Sequence, residues 1–192
     1  MTDLMRYAAA LDGAAKAKGL PPVERWDPPY CGELNLRIRR DGLWIHEGTP
    51  IGRAPLVRLF STVLKREGDR YFLVTPVEKL GIEVEDAPFL AVLMRAENEG
   101  GGQRLVFTTN VGDEVAAGSD HPIEFRVNAE TGEATPYVHV RAGLWALAAR
   151  AVYYDLVALG ETRETPTGAQ FGVSSGGVFF AFAPENVVKS ES

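Results

Sequence analysis

The feature that most constrains this chain is an order of elements that comes round twice. Residues 34–39 alternate apolar and polar side chains, the pattern of a half-buried strand. Asp41-Gly42 is a hairpin signal, and residues 43–46 return as a second strand. Pro55 then suits the first turn of a helix, where the leading N–H groups have no partner to lose. Leu56, Leu59, Phe60, Val63 and Leu64 form a core-facing helical stripe, and Gly68 is placed to end it. Further on, residues 123–127 alternate, Thr131-Gly132 turns, and residues 137–140 return. Arg141-Ala142-Gly143 precedes a helix expected over 144–159 and closed by Gly160, with an apolar strand at 177–183. Both halves read as hairpin, helix, strand. Pro50 with Arg53 and Pro136 with Arg141 stand at matching places before the two helices. Recurrence of this kind constrains a whole fold, and here it predicts a duplicated α+β core.

The rest of the chain fits between these blocks. A helix is expected over residues 3–18, stopped by Gly19, with a proline-rich linker over 21–29 that Trp26 pins to the body. Residues 70–75 and 81–84 read as strands, and 89–96 with 104–109 as a hairpin through the glycines of 99–102. Residues 112–120 read as a polar loop. The expected organisation is a helix and linker over 1–21, a first α+β domain over 22–90 and a second over 91–192.

Composition narrows the function classes. Of 192 residues, 45% are hydrophobic and 24% charged, ordinary values that argue against disorder. Cys31 is the single cysteine, so no internal disulfide can form and a reducing compartment fits. A net charge of −6 argues against nucleic-acid binding. No run approaches the roughly 20 apolar residues of a membrane span, and the N-terminus lacks a secretory pattern. The expectation is a cytoplasmic protein with neither nucleic acid nor membrane as partner.

Catalytic motifs fare poorly. Gly172-Val173-Ser174-Ser175-Gly176 matches G-x-S-x-G, but a nucleophile elbow needs a helix after the serine, and residues 178–182 read as a strand. No histidine follows Ser174, so the segment reads better as a glycine-serine turn with N–H groups suited to an anion. His46, His121 and His139 are too dispersed for a metal set, although His46 and His139 fall at matching strand positions. Cys31 is a candidate nucleophile on its residue type alone. Glu83, Glu85 and Asp86 cluster without the ligand spacing of a calcium loop. Neither a Walker A sequence nor G-x-G-x-x-G occurs, and no cofactor is implied.

Arginine is the better lead. Arg53 and Arg141 each stand at an expected helix entrance, where unpaired N–H groups and the helix dipole favour an anion. A guanidinium there can hold phosphate or carboxylate through two parallel hydrogen bonds. Lys79, on a short loop with Thr75 and Glu78, adds charge nearby.

Several blocks resemble the bacterial domain-of-unknown-function 1285 family. They are Asp41-Gly42-Leu43-Trp44, Gly48-Thr49-Pro50-Ile51 with Arg53, Leu59-Phe60-Ser61, and Leu73-Val74-Thr75-Pro76-Val77-Glu78-Lys79. Val84-Glu85-Asp86-Ala87-Pro88-Phe89, Pro136-Tyr137, Arg141 with Gly143-Leu144, and Gly172-Val173-Ser174-Ser175-Gly176 continue the likeness. The resemblance implies a two-part fold with a duplicated core and a C-terminal part like a pleckstrin-homology domain. It also implies a nucleotide-like ligand at the interface between the parts, a role in signal transduction, and no established enzymatic activity.

Together these point to a ligand-binding module rather than an enzyme. Arg53, Thr75, Glu78 and Lys79 are the first half's candidate contacts. Tyr137, Arg141, Ser174 and Ser175 are the second half's, with Trp44 or Tyr137 available to stack on a base. A hydrolase using Ser174 or Cys31 is one alternative, and a protein-interaction module through the C-terminal half is another. The protein partner of that last reading is not specified by the sequence.

Overall fold

Alternation along residues 30–38 produces strand β1 (Tyr30–Ile38), which buries Leu34, Leu36 and Ile38 and exposes Glu33, Asn35 and Arg37. The computed structural model describes residues 4–12 and 19–184. The chain divides into two compact units, Met1–Pro88 with Ala142–Leu144, and Phe89–Arg141 with Trp145–Ser192. Both are mixed α+β and dominated by sheet.

The first unit opens with α1 (Leu4–Asp12) and one 3-10 turn, Val23–Arg25. Residues 13–18 of the helix expected over 3–18 lie outside the described residues, as does residue 3. After β1 come β2 (Trp44–His46), β3 (Thr49–Pro50), α2 (Ala54–Ser61), β4 (Leu64–Glu67), β5 (Arg70–Val74) and β6 (Lys79–Val84). The sheet order is β3-β2-β1-β6-β5-β4. Both halves of the sheet are antiparallel, and β1 meets β6 in parallel, with Ile38 opposite Val84. Tyr7, Trp44, Phe60, Leu64 and Leu73 are fully buried and form the heart of this core. α1 lays Tyr7 against Phe60 of α2, ring centroids 6.3 Å apart.

The helix of the first half is shorter than its stripe predicts. Ser61 and Thr62 turn their hydroxyls onto the carbonyls of Arg58 and Leu59, at 2.7 and 2.6 Å, and the helix ends there. Val63 and Leu64 are buried as expected, but Leu64 opens β4. Gly68, at φ 60°, serves the tight turn between β4 and β5 rather than a helix end. A helix C-terminus and a two-residue hairpin turn both need a left-handed residue, so a glycine reads alike in either.

The second unit runs β7 (Phe89–Glu99), β8 (Gly102–Thr109), β9 (Glu114–Ala116), β10 (Ile123–Val127), β11 (Ala134–Arg141) and β12 (Leu144–Ala148). Its sheet order is β10-β11-β12-β7-β8-β9, with β12 and β7 parallel. Read in chain order, this is the connectivity of the first sheet over again: two meanders whose first and last strands pair in parallel. The recurrence therefore differs from a hairpin-helix-strand repeat. β7 takes the place of β1, and residues 123–127, expected to match 34–39, form an edge strand instead. His46 on β2 and His139 on β11 do not correspond either.

The helix expected over 144–159 also divides. Ala142 and Gly143, at φ 46° and 74°, make a two-residue turn, and Leu144–Ala148 continues as β12. Its leucines and alanines favour a helix locally, but Ala146, Leu147 and Ala148 pair with Phe89, Leu90 and Ala91 of β7. Only α3 (Arg150–Ala158) is helical, with Val152 and Leu156 buried. The polar stretch after Gly160 becomes a third sheet, β13 (Glu161–Thr165), β14 (Gly168–Ser175) and β15 (Val178–Pro184), in that order. The expected loop over 112–120 likewise contains β9. Among the described residues no helix is long and apolar enough to cross a membrane.

One buried group is left unsatisfied at α1. The Tyr7 hydroxyl is buried with no hydrogen-bond partner among the described residues. Burial pushes its pKa above the usual tyrosine range, and Glu78 and Cys31 add to the rise. Because the folded pKa is raised, the shift leaves stability unchanged below pH about 10 and lowers it as pH climbs through and beyond that value. Tyr7→Phe is expected to retain or gain about 1 kcal/mol at neutral pH, with a shallower loss of stability in alkali. Denaturant titration at pH 7 and at alkaline pH checks both; a Phe variant markedly less stable at pH 7 contradicts the assignment.

Candidate functional site

The first unit's candidates stand apart in environment. Arg53 caps α2 from an extended backbone conformation and is exposed, so it does stand at a helix entrance. Thr75 is buried, and its Oγ1 accepts from the N–H groups of Val77 and Glu78 at 3.3 and 3.1 Å. That hydroxyl shapes the loop before β6. Lys79 donates to Glu67 at 2.8 Å and lies 5.0 Å over the Phe72 ring. Glu67 is also 3.3 Å from Lys65. Lys79's hydrogen bond, followed by Lys65's, holds the Glu67 carboxyl below the usual carboxylate range. Lys79 is therefore engaged in a lysine–glutamate–lysine cluster. Trp44, a candidate stacking ring, is 1% exposed and belongs to the core.

In the second unit Arg141 ends β11 and stands at no helix entrance. Its guanidinium pairs with Asp113 at 2.7 Å and lies 5.0 Å over Phe89. Tyr137 is buried, and the Arg126 guanidinium covers its ring at 4.0 Å, the face a base would need. Glu83, Glu85 and Asp86 are answered by arginines. Arg37 reaches Glu83 at 3.0 Å, Arg40 reaches Asp86 at 3.0 Å, and the Arg40 N–H donates to Glu85 at 2.9 Å. Among the described residues no group of three or more acids, histidines and cysteines could hold a metal. The Nδ1 atoms of His121 and His139 face the carbonyls of His139 and Asp120. Cys31 is exposed, its Sγ 3.3 Å from the Pro29 carbonyl.

The G-x-S-x-G segment proves to be strand β14 running into the turn before β15, and its small residues have packing reasons. A Cβ on Gly172 would sit 2.3 Å from the Phe180 carbonyl, and one on Gly176 2.9 Å from that of Ala117. Ser175 is wholly buried; its hydroxyl accepts from Leu105 N–H and donates to the Ala117 carbonyl, each at 2.8 Å. It ties the third sheet to β8. Ser174 points the other way, as the alternation of a strand demands.

Ser174 lines a cavity of about 390 Å3 with Gly101, Gly102, Gln103, Leu159, Glu161, Arg163 and Gly177. The cavity lies beside two glycine-glycine hairpin turns, Gly100-Gly101 and Gly176-Gly177, all four in the left-handed region. Its polar groups are linked. Ser174 Oγ donates to Glu161 Oε1 at 3.1 Å, and Arg163 meets the same oxygen at 2.7 Å. Gln103 Nε2 donates to the Ser174 carbonyl at 2.8 Å. The Arg163 guanidinium lies 5.1 Å over Phe179. Of the residues singled out from the sequence, the structure places only Ser174 in this cavity. Gln103, Glu161 and Arg163 were missed. Glu161 and Arg163 lie in a charged, β-branched run, Glu161-Thr162-Arg163-Glu164-Thr165, without an apolar period, and no sequence signal marks Gln103.

The chain is similar to proteins already grouped by sequence. Residues 21–87 match the family model described as "Domain of unknown function (DUF1285), N-terminal domain", and residues 88–182 the one described as "Protein of unknown function (DUF1285), C-terminal domain". A DUF1285 family protein from Silicibacter pomeroyi DSS-3, known from its crystal structure, is 47% identical with a TM-score of 0.88. That match covers 98% of this chain and 99% of the other. A second crystal structure, of a DUF1285 family protein from Shewanella baltica OS155, is 30% identical with a TM-score of 0.51, covering 65% and 91%. No curated protein is matched.

The two adjacent serines make opposite predictions. Ser175→Ala strands a buried N–H and a buried carbonyl, and is expected to cost about 2 kcal/mol. Ser174→Ala removes one hydrogen bond at the rim and should change stability by no more than about 0.5 kcal/mol. Urea denaturation of both variants checks the contrast; equal effects would contradict the placement of either hydroxyl.

Proposed function

The chain belongs to the DUF1285 family, and we propose that it is a small-ligand-binding module for a nucleotide-like or other anionic molecule, with a role in signal transduction. The observation that carries this reading is the cavity of the second unit, where a guanidinium, a carboxylate, a carboxamide and a hydroxyl converge. Its volume falls within the range typical of small-molecule sites, roughly 300–1,000 Å3. Among the described residues Arg163 is its one cationic lining residue and the natural partner of an anionic group. In the same reading the recurrent six-stranded connectivity marks a duplication. The second unit, with α3 after its curled sheet, is taken as pleckstrin-homology-like.

The test is thermal denaturation with a panel of nucleoside mono-, di- and cyclic phosphates. A ligand at a hundred times its dissociation constant adds about 2.7 kcal/mol to the folded state. Stabilisation by at least one of these is expected, and Arg163→Ala should abolish it. No stabilisation by any of them overturns the reading. Ester or phosphodiester turnover abolished by Ser174→Ala would replace it with a hydrolase, since Ser174 Oγ already donates to a carboxylate.

A further inference from the structure

We infer that the cavity of the second unit selects a ligand carrying a vicinal diol beside a single anionic group, the chemistry of a ribose phosphate rather than of a bare phosphate. The inference rests on the reading that this cavity binds a small molecule, and names what it binds.

The hydrogen-bond inventory of the lining carries the argument. The Ser174 carbonyl can only accept, so the Gln103 nitrogen must face it, and the Gln103 oxygen is turned to the other side. Glu161 Oε1 takes both the Ser174 hydroxyl and the Arg163 guanidinium. Among the described residues neither Glu161 Oε2 nor Gln103 Oε1 accepts a hydrogen bond. The side chains thus offer two open acceptors, one of them charged, and one cation. Two neighbouring hydroxyls, each a donor, answer that pair of acceptors, and the Arg163 guanidinium answers the anion. A carboxylate accepting from adjacent hydroxyls is the same device that reads a ribose in dinucleotide-binding folds.

Charge sets the preference against a bare phosphate. Arg163 and Glu161 cancel one another, and their side chains are about half exposed. A free phosphate approaching Arg163 meets Glu161 at the same place and is repelled. A diol bonded to Glu161 converts that carboxylate from an obstacle into a contact. The glycines at 101, 102 and 177 carry no side chain to fill the opening.

Isothermal titration of the full chain with ribose 5-phosphate, 2-deoxyribose 5-phosphate and inorganic phosphate tests this. Ribose 5-phosphate should bind at least about tenfold more tightly than the deoxy sugar, the usual effect of losing a hydrogen bond to a charged group. Inorganic phosphate should bind more weakly than either. Glu161→Gln keeps the shape and removes the charge, so it should shrink the ribose-over-deoxyribose ratio while strengthening inorganic phosphate. Equal binding of the three probes, or an unchanged ratio in Glu161→Gln, overturns the inference and leaves a simple anion site. Binding of none of the probes, or binding that Arg163→Ala leaves untouched, overturns the inference together with the reading beneath it. Circular dichroism of each variant confirms that it has folded.

Discussion

The parallel pairing of first and last strands is the constraint on which each sheet depends. Antiparallel neighbours need only a tight turn, and each meander is built from such turns. A parallel contact needs a return crossing, and here a meander of four further strands supplies it. In the first unit that contact joins β1 to β6, and in the second β12 to β7. Both place a sequence's first and last strands at the middle of a six-stranded sheet, with short strands at the edges. β3 has two residues and β9 three, which limits the open edge available for unwanted pairing.

The third sheet adds what the recurrent connectivity lacks. Ser175 fastens β14 to β8, and Phe182 of β15 stacks on Phe125 of β10, with ring centroids 3.9 Å apart. Phe171 of β14 fills the space over Gly160, where a Cβ would come within 2.1 Å of its ring. These contacts hold one face of β14 against the body and leave the other, with Ser174, facing the cavity. Packing and the lining of the cavity therefore use alternate residues of a single strand. The glycines of the segment that resembles a nucleophile elbow are explained by closeness of backbones.

Much of this was legible in the sequence where turn chemistry and alternation agree. Asp41-Gly42 and Gly100-Gly101 mark their hairpins, and β1, β5, β7, β10 and β11 follow from their patterns. The end of α2 was hidden because Leu64 satisfies a helical stripe and a strand equally well. β12 was hidden because its leucines and alanines prefer helix until β7 is beside them. The site was less legible still. Arg141 looked like a helix-entrance anion contact only while residues 144–148 were taken as helix. Ser174 was visible for the company it keeps. Gln103, Glu161 and Arg163 were not, because Glu161 and Arg163 sit on the polar edge strand β13, which carries no apolar period, Gln103 stands at the polar start of β8, and their convergence depends on a sheet that the pattern does not announce.

Placement of the ligand in the second unit is the claim on which the functional account stands. Titrating the 15N-labelled full chain with ribose 5-phosphate and following backbone amide shifts tests it directly. The account predicts the largest, saturable shifts at Gln103, Glu161, Arg163, Ser174 and the glycines beside them. Shifts concentrated instead at Arg53, Thr75 to Lys79 or Arg141, with these residues unmoved, would contradict it.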